Sequence, residues 1–131
     1  MSDASFQPDE PELSRGPRPL QGLCTLGAIG AFAAAAYWAL LTFLIGVSGQ
    51  SPVQMLVPFI LIGLYAYRGY QLMTGNVVAA KGLIWLHGIG AVMTIIQIAG
   101  GATLFVLLGV KIAIHAFGLV TALIVVNKAR V

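Results

Sequence analysis

The sequence predicts an all-α integral membrane protein, with four transmembrane helices in a small up-down bundle and a disordered N-terminal tail. Of its 131 residues, 59% are hydrophobic and only 8% are charged, whereas soluble domains carry about 25% charged residues. No charged residue lies between Arg18 and Arg68, and only Lys111 is charged from Gly82 to Val126. Because one span needs about 20 apolar residues, each of these two stretches holds two helices.

The first 19 residues differ in composition from the rest of the chain. They hold all four acidic residues and four of the six prolines: Asp3, Asp9, Glu10, Glu12, Pro8, Pro11, Pro17 and Pro19. This acidic start lacks the basic leader of a secretory signal peptide. Residues 1–19 are therefore predicted to be a disordered cytoplasmic tail, and residues 20–131 the transmembrane domain.

The polar breaks place the four helices at about 21–46, 53–72, 82–107 and 111–126. Pro52 suits the first turn of the second helix, where its missing N–H needs no partner. Thr74-Gly75-Asn76 supplies the next turn. Between the third and fourth helices the preferred turn is Gly109-Val110-Lys111, and Gly100-Gly101 is the rival.

The basic residues predict the orientation. Four spans leave Lys111 alone on one side and place six basic residues on the side of the termini: Arg15, Arg18, Arg68, Lys81, Lys128 and Arg130. By the positive-inside rule both termini are cytoplasmic, and we expect a multi-pass protein of the bacterial inner (plasma) membrane. The aromatic residues fit two interfacial belts, Tyr65, Tyr67, Tyr70 and Trp85 on the inner side and Tyr37 and Trp38 on the outer side.

Two faces of small or polar residues are predicted to pack helices together. Small residues at four-residue spacing form one face of the first helix: Gly27, Ala31, Ala35 and Ala39. Its partner helix can come from this chain or from another subunit. A second set forms a seam between the third and fourth helices: Thr94, Gln97, His115 and Gly118. With a turn near Val106, Gln97 and His115 lie at the same depth and are expected to share a hydrogen bond, which a turn at Gly100-Gly101 would break.

The segment from Leu86-His87 through Gln97, Gly100 and Thr103 to His115 resembles the half-repeat of haem A synthases. The resemblance implies haem as a cofactor and makes His87 and His115 candidate ligands, although the family's proline in the turn is missing. The predicted helices set the two histidines at depths that differ by roughly 15 Å or more, too far apart to ligate one iron. No cofactor is therefore predicted, and haem remains an alternative.

The residues favour a non-enzymatic function. No Ser–His–Asp set or Cys–His pair is recognisable, Cys24 is the single cysteine, and the scattered basic residues do not form a nucleic-acid site. With short loops and Lys111 assigned to an outer loop, the leading hypothesis is an accessory or scaffold subunit of a larger membrane complex. A small oligomeric transporter or channel is the alternative, and a haem-binding cytochrome-like subunit is the second. The expected partners are the lipid bilayer and either other membrane subunits or further copies of the chain.

Overall fold

The computed structural model describes residues 18–47, 49, 51–101 and 104–131. Over these residues the chain forms four α-helices and no strand: α1 (Arg18–Val47), α2 (Pro52–Met73), α3 (Ala79–Ala99) and α4 (Phe105–Ala129). The all-helical prediction is confirmed. The predicted N-terminal tail lies outside the described residues except for its last two positions, which begin α1.

Three of the four helices are long and apolar enough to cross a membrane, namely α1 over Leu20–Leu44, α3 and α4. α2 is not among them, and it contains Gln54, Arg68 and Gln71 within its 22 residues. The prediction of apolar helices able to span a membrane is thus confirmed for three of the four helices. The fourth span is taken up below as a proposal.

The ends of α2 form where turn chemistry predicts them. Pro52 occupies the first turn, and the backbone N–H of Ser51 donates to Oε1 of Gln54 at 3.2 Å, which completes a capping box. After Met73 the chain turns through Gly75, whose φ of 93° lies in the left-handed region that glycine tolerates. Asn76 then accepts the N–H of Val78 through Oδ1 at 3.2 Å. This short turn brings α3 back antiparallel to α2.

The small-residue face of α1 packs on α2 of the same chain. A Cβ built on Gly27 would lie 2.7 Å from Cδ2 of Leu72, and one built on Gly69 would lie 3.1 Å from Cβ of Ala31. Ala35 is also buried, whereas Ala39 is exposed. Most of this face is therefore used inside the chain, because glycine and alanine let the two backbones approach closely.

Each helix runs antiparallel to its neighbours around the bundle. α1 packs most extensively on α2, α3 on α4 and α1 on α4, while α2 and α3 share the smallest interface of the four. Along α1, Gly27 lies near the end of α2 and Gly46 near its start at Met55. The order around the bundle is α1, α2, α3, α4.

The turn between α3 and α4 lies at Gly100-Gly101, so the preferred prediction of a turn at residues 109–111 is wrong. α3 ends at Ala99 instead of extending to residue 107, and α4 begins at Phe105 instead of residue 111. Gly101 adopts a φ of 83°, and its N–H donates to the carbonyl of Ile98 at 3.1 Å. Gly109, which was predicted to turn, lies inside α4. The left-handed backbone at Gly101 closes α3 in the way a C-terminal glycine commonly does.

Two glycine substitutions distinguish these turns. Gly101→Ala should lower the free energy of unfolding by about 1–2 kcal/mol, because a Cβ is strained in the left-handed region. Gly109→Ala should raise it by about 0.5–1 kcal/mol, since a Cβ there meets no neighbour within 4 Å and alanine favours a helix. Unfolding in mixed micelles measures both. The reverse result, with Gly109→Ala destabilising and Gly101→Ala not, would instead favour the turn at residues 109–111.

Candidate functional site

Two histidines meet in the middle of the bundle. His87 and His115 are 0% and 1% exposed, and their Nδ1 atoms are 3.2 Å apart. Each lies near the midpoint of its helix, the 21-residue α3 and the 25-residue α4. The prediction that they lie at different depths is wrong, because the earlier turn shifts the register of α4 along α3.

Glycines make the space that the two imidazole rings occupy. Gly118 of α4 lies against the ring of His87, and Gly90 of α3 lies against the ring of His115, so that a Cβ at either glycine would overlap the facing ring. α1 also closes on this point, since a Cβ on Gly30 would lie 3.1 Å from Cα of Gly118. Gly118, a predicted seam residue, thus lies between α3 and α4. Thr94, another predicted seam residue, is fully buried, and its hydroxyl donates to the carbonyl of Gly90 at 2.7 Å.

The histidine pair has hydrogen-bonding capacity left over. At 3.2 Å one Nδ1–H donates to the other Nδ1, whose ring must then carry its proton on Nε2. Both Nε2 atoms are buried without a hydrogen-bond partner among the described residues. Every neutral tautomer that forms this bond therefore leaves one buried N–H donor unpaired. Such a donor costs about 1–3 kcal/mol, an expense uncommon in a purely structural contact.

Tyr65 covers the histidine pair from α2. Its ring centroid lies 5.1 Å from that of His87 and 6.1 Å from that of His115, and its side chain is 1% exposed. Its hydroxyl donates to the carbonyl of Leu86 at 2.8 Å. The assignment of Tyr65 to an interfacial belt is therefore wrong. The signal that could have found it is its spacing from Gly69 and Leu72, which follow at four and three residues on one helical face.

Lys111 is a further buried ionisable group. It lies within α4, not in an outer loop, and is 4% exposed. Its Nζ donates to Oε1 of Gln97 at 3.1 Å and lies 5.0 Å from the ring centroid of Trp38. The expected Gln97–His115 hydrogen bond is thus replaced by Gln97–Lys111. Lys111 and His115 are four residues apart and share one face of α4.

These residues follow one another from the α3–α4 turn to the middle of the bundle, and we call them the polar column: the exposed Gln97, then Lys111, His115, His87 and Tyr65. Beyond it, toward the termini, Arg68 donates from Nη1 to Oε1 of Gln71 at 3.1 Å. The side chain of Arg68 passes Gly82, where a Cβ would lie 3.0 Å from Nε. All four carboxylic side chains of the sequence occur in its first 12 positions, so no acid from the helices neutralises Lys111.

The histidine pair does not fit a haem held by both rings. Axial ligation by two imidazoles needs about 4 Å between the nitrogens, with the porphyrin plane between them. The two rings approach each other through their Nδ1 atoms at 3.2 Å, and the backbones at Gly90 and Gly118 lie against them, so no porphyrin fits between the rings as they are arranged here. Within the described ranges no three His, Cys, Asp or Glu side chains gather into a metal-ligand cluster.

No protein-family model, curated protein or solved structure matches this chain. Proposals for its function therefore rest on the polar column and on the surfaces of the bundle.

Substitution of Gly118 tests the packing of the histidines. Gly118→Ala should lower the free energy of unfolding by about 1–3 kcal/mol, because the new Cβ overlaps the His87 ring. Gly88→Ala is the control, since a Cβ there meets nothing within 4 Å. Removing the ring in the double variant His87→Ala/Gly118→Ala should make the alanine at 118 far less harmful. A Gly118→Ala protein as stable as Gly88→Ala would contradict the packing.

Proposed function

We propose that this protein is a non-enzymatic, four-span membrane protein that moves a small ion across the bilayer along the polar column. The observation that carries the proposal is the burial of His87, His115 and Lys111, each at most 4% exposed, inside helices able to cross a membrane. Ionisable groups are costly in such a setting, and those found there typically mark ion pathways or proton relays.

A fourth span is supported by the length and packing of α2. Its 22 residues extend about 33 Å at 1.5 Å per residue, which matches a hydrocarbon core of about 30 Å. α2 also runs antiparallel along α1, a helix that can span. Arg68 lies near the end of α2, where its long side chain can reach the interface.

The orientation with both termini in the cytoplasm gains support from the position of Lys111. Because Lys111 belongs to α4, the two connections on the other side, residues 48–51 and 100–104, contain no basic residue. Of the basic residues that the structure describes, all but Lys111 fall on the side of the termini. This asymmetry favours a cytoplasmic N-terminus and C-terminus in a bacterial inner membrane.

An accessory or scaffold subunit is the second candidate. The sequence favoured this function because Lys111 was assigned to an outer loop, outside the membrane. Lys111 is instead buried in α4, so that argument no longer supports a subunit function. What still favours it is the outer surface of α2, where large apolar side chains are exposed: Val53, Leu56, Val57, Phe59 and Ile60. Beside them an apolar groove opens between α1 and α2, lined in part by Ala39, Phe43 and Met55. Another membrane subunit could cover this surface.

Reconstitution into liposomes tests the transport proposal. We expect the protein to dissipate an imposed pH or chloride gradient faster than empty liposomes do. Lys111→Gln and His115→Gln should bring that rate down to the background, because each removes an ionisable group of the polar column.

Lys81→Gln is the matched control, since Lys81 is exposed near the start of α3 and its loss changes the net charge equally. If wild-type protein leaves both gradients unchanged and extracts from membranes within a larger complex on native mass spectrometry, the subunit function replaces the transport function.

A further inference from the structure

The end of the polar column farthest from the termini is rich in hydrogen-bond donors and poor in acceptors. We define the Lys111 cluster as Lys111, Gln97 and Trp38. An ammonium carries three donors, and the structure shows one of them used, by Oε1 of Gln97 at 3.1 Å. That contact occupies the amide oxygen of Gln97, an exposed residue, and its amide NH₂ remains a hydrogen-bond donor.

Trp38 adds an unsatisfied donor to the same cluster. Its ring lies beneath the ammonium, with 5.0 Å from Nζ to the ring centroid. Its Nε1 is buried and has no hydrogen-bond partner among the described residues. The neighbouring Thr42 and Tyr37 hydroxyls donate to the carbonyls of Trp38 and Leu107, at 2.7 and 3.2 Å, and neither oxygen accepts from the indole. Within the part of the chain that the structure describes, the cluster thus offers the indole N–H no acceptor.

No acidic side chain among residues 18–131 compensates the charge of the cluster. Lys111 is 4% exposed, and the sequence holds no acidic residue after Glu12. α4 begins at Phe105, so its N-terminus lies about 9 Å along the helix from Lys111, and its partial positive charge has the same sign as the ammonium. Leu104 provides no side-chain cap for that terminus. Burying a lone cation is expensive unless an opposite charge accompanies it.

We propose that the Lys111 cluster is a binding site for one small inorganic anion, of the size and charge of chloride. The anion accepts hydrogen bonds from the Lys111 ammonium, the Gln97 amide and the Trp38 indole, and it neutralises the buried charge. It enters from the side opposite the termini, where α3 ends at Ala99 and α4 begins. The inference rests on the proposed transport function and names its substrate class.

The test uses Trp38 as a reporter in phosphate-free maltoside micelles. The chain has two tryptophans, and Trp85→Phe removes the other one, which is 73% exposed and lies outside the cluster. Sodium bromide, a heavy-atom quencher, is titrated against sodium gluconate at constant ionic strength. We expect quenching of Trp38 that saturates with bromide concentration and is reversed by chloride.

Charge variants in the Trp85→Phe background assign the effect to Lys111. Lys111→Gln should raise the apparent dissociation constant by about 30-fold or more, as expected when one partner of a buried charge contact is lost. Lys81→Gln should leave it unchanged, and Lys111→Arg, which keeps the charge, should retain saturable quenching if Lys111→Gln does not fold. Linear, non-saturable quenching in the protein with native Lys111 overturns the proposal.

A phospholipid phosphate is the other source of the same charge, and a further titration separates the two. If bromide gives no saturable response but added phosphatidylglycerol shifts the Trp38 emission, the cluster holds a lipid headgroup and the inorganic-anion site is overturned. Anion binding in micelles without ion flux in liposomes would overturn the transport function and support the anion site. Proton flux without anion binding would overturn the anion site and support the transport function.

Discussion

The close approach of α3 and α4 at Gly90 and Gly118 is the contact on which the rest of the bundle depends. Membrane helices gain little from hydrophobic association, so backbone proximity at small residues and a few polar contacts hold them in register. Here the two glycines each receive an imidazole from the opposite helix. The register that seats His87 on Gly118 also carries Lys111 to Gln97. A slip of α4 by one turn would separate both pairs.

The composition and charge pattern predicted the helical class well, because the cost of burying charge in lipid leaves a clear signal in the sequence. Turn chemistry was sufficient at Pro52 and Gly75. It was insufficient between Gly101 and Gly109, since both glycines lie in uncharged surroundings and either could end a helix. The choice depends on how α3 and α4 pack, which is long-range information.

That single choice determined how the polar residues were paired. With the turn placed late, Gln97 faced His115 and Lys111 fell in a loop; with the turn at Gly101, every polar partner changes. Tyr65 was missed for a different reason. Tyrosine is common at membrane interfaces, and only its alignment with Gly69 on the inner face of α2 distinguishes it from the exposed Tyr67 and Tyr70. The sequence identified the polar residues of the helices, whereas their hydrogen-bond partners could be assigned only from the folded structure.

Nearly all of the polar column belongs to one helical hairpin. His87 and Gln97 lie on α3, and His115 and Lys111 lie on α4, while α2 contributes only Tyr65. In the proposed membrane setting, the α3–α4 hairpin holds the Lys111–Gln97 and His87–His115 contacts without either of the other two helices. The hairpin thereby enters lipid with fewer bare polar groups than either helix alone would carry. The short connection at Gly101 therefore keeps the residues that are most costly to bury next to their partners, and α1 and α2 pack around them.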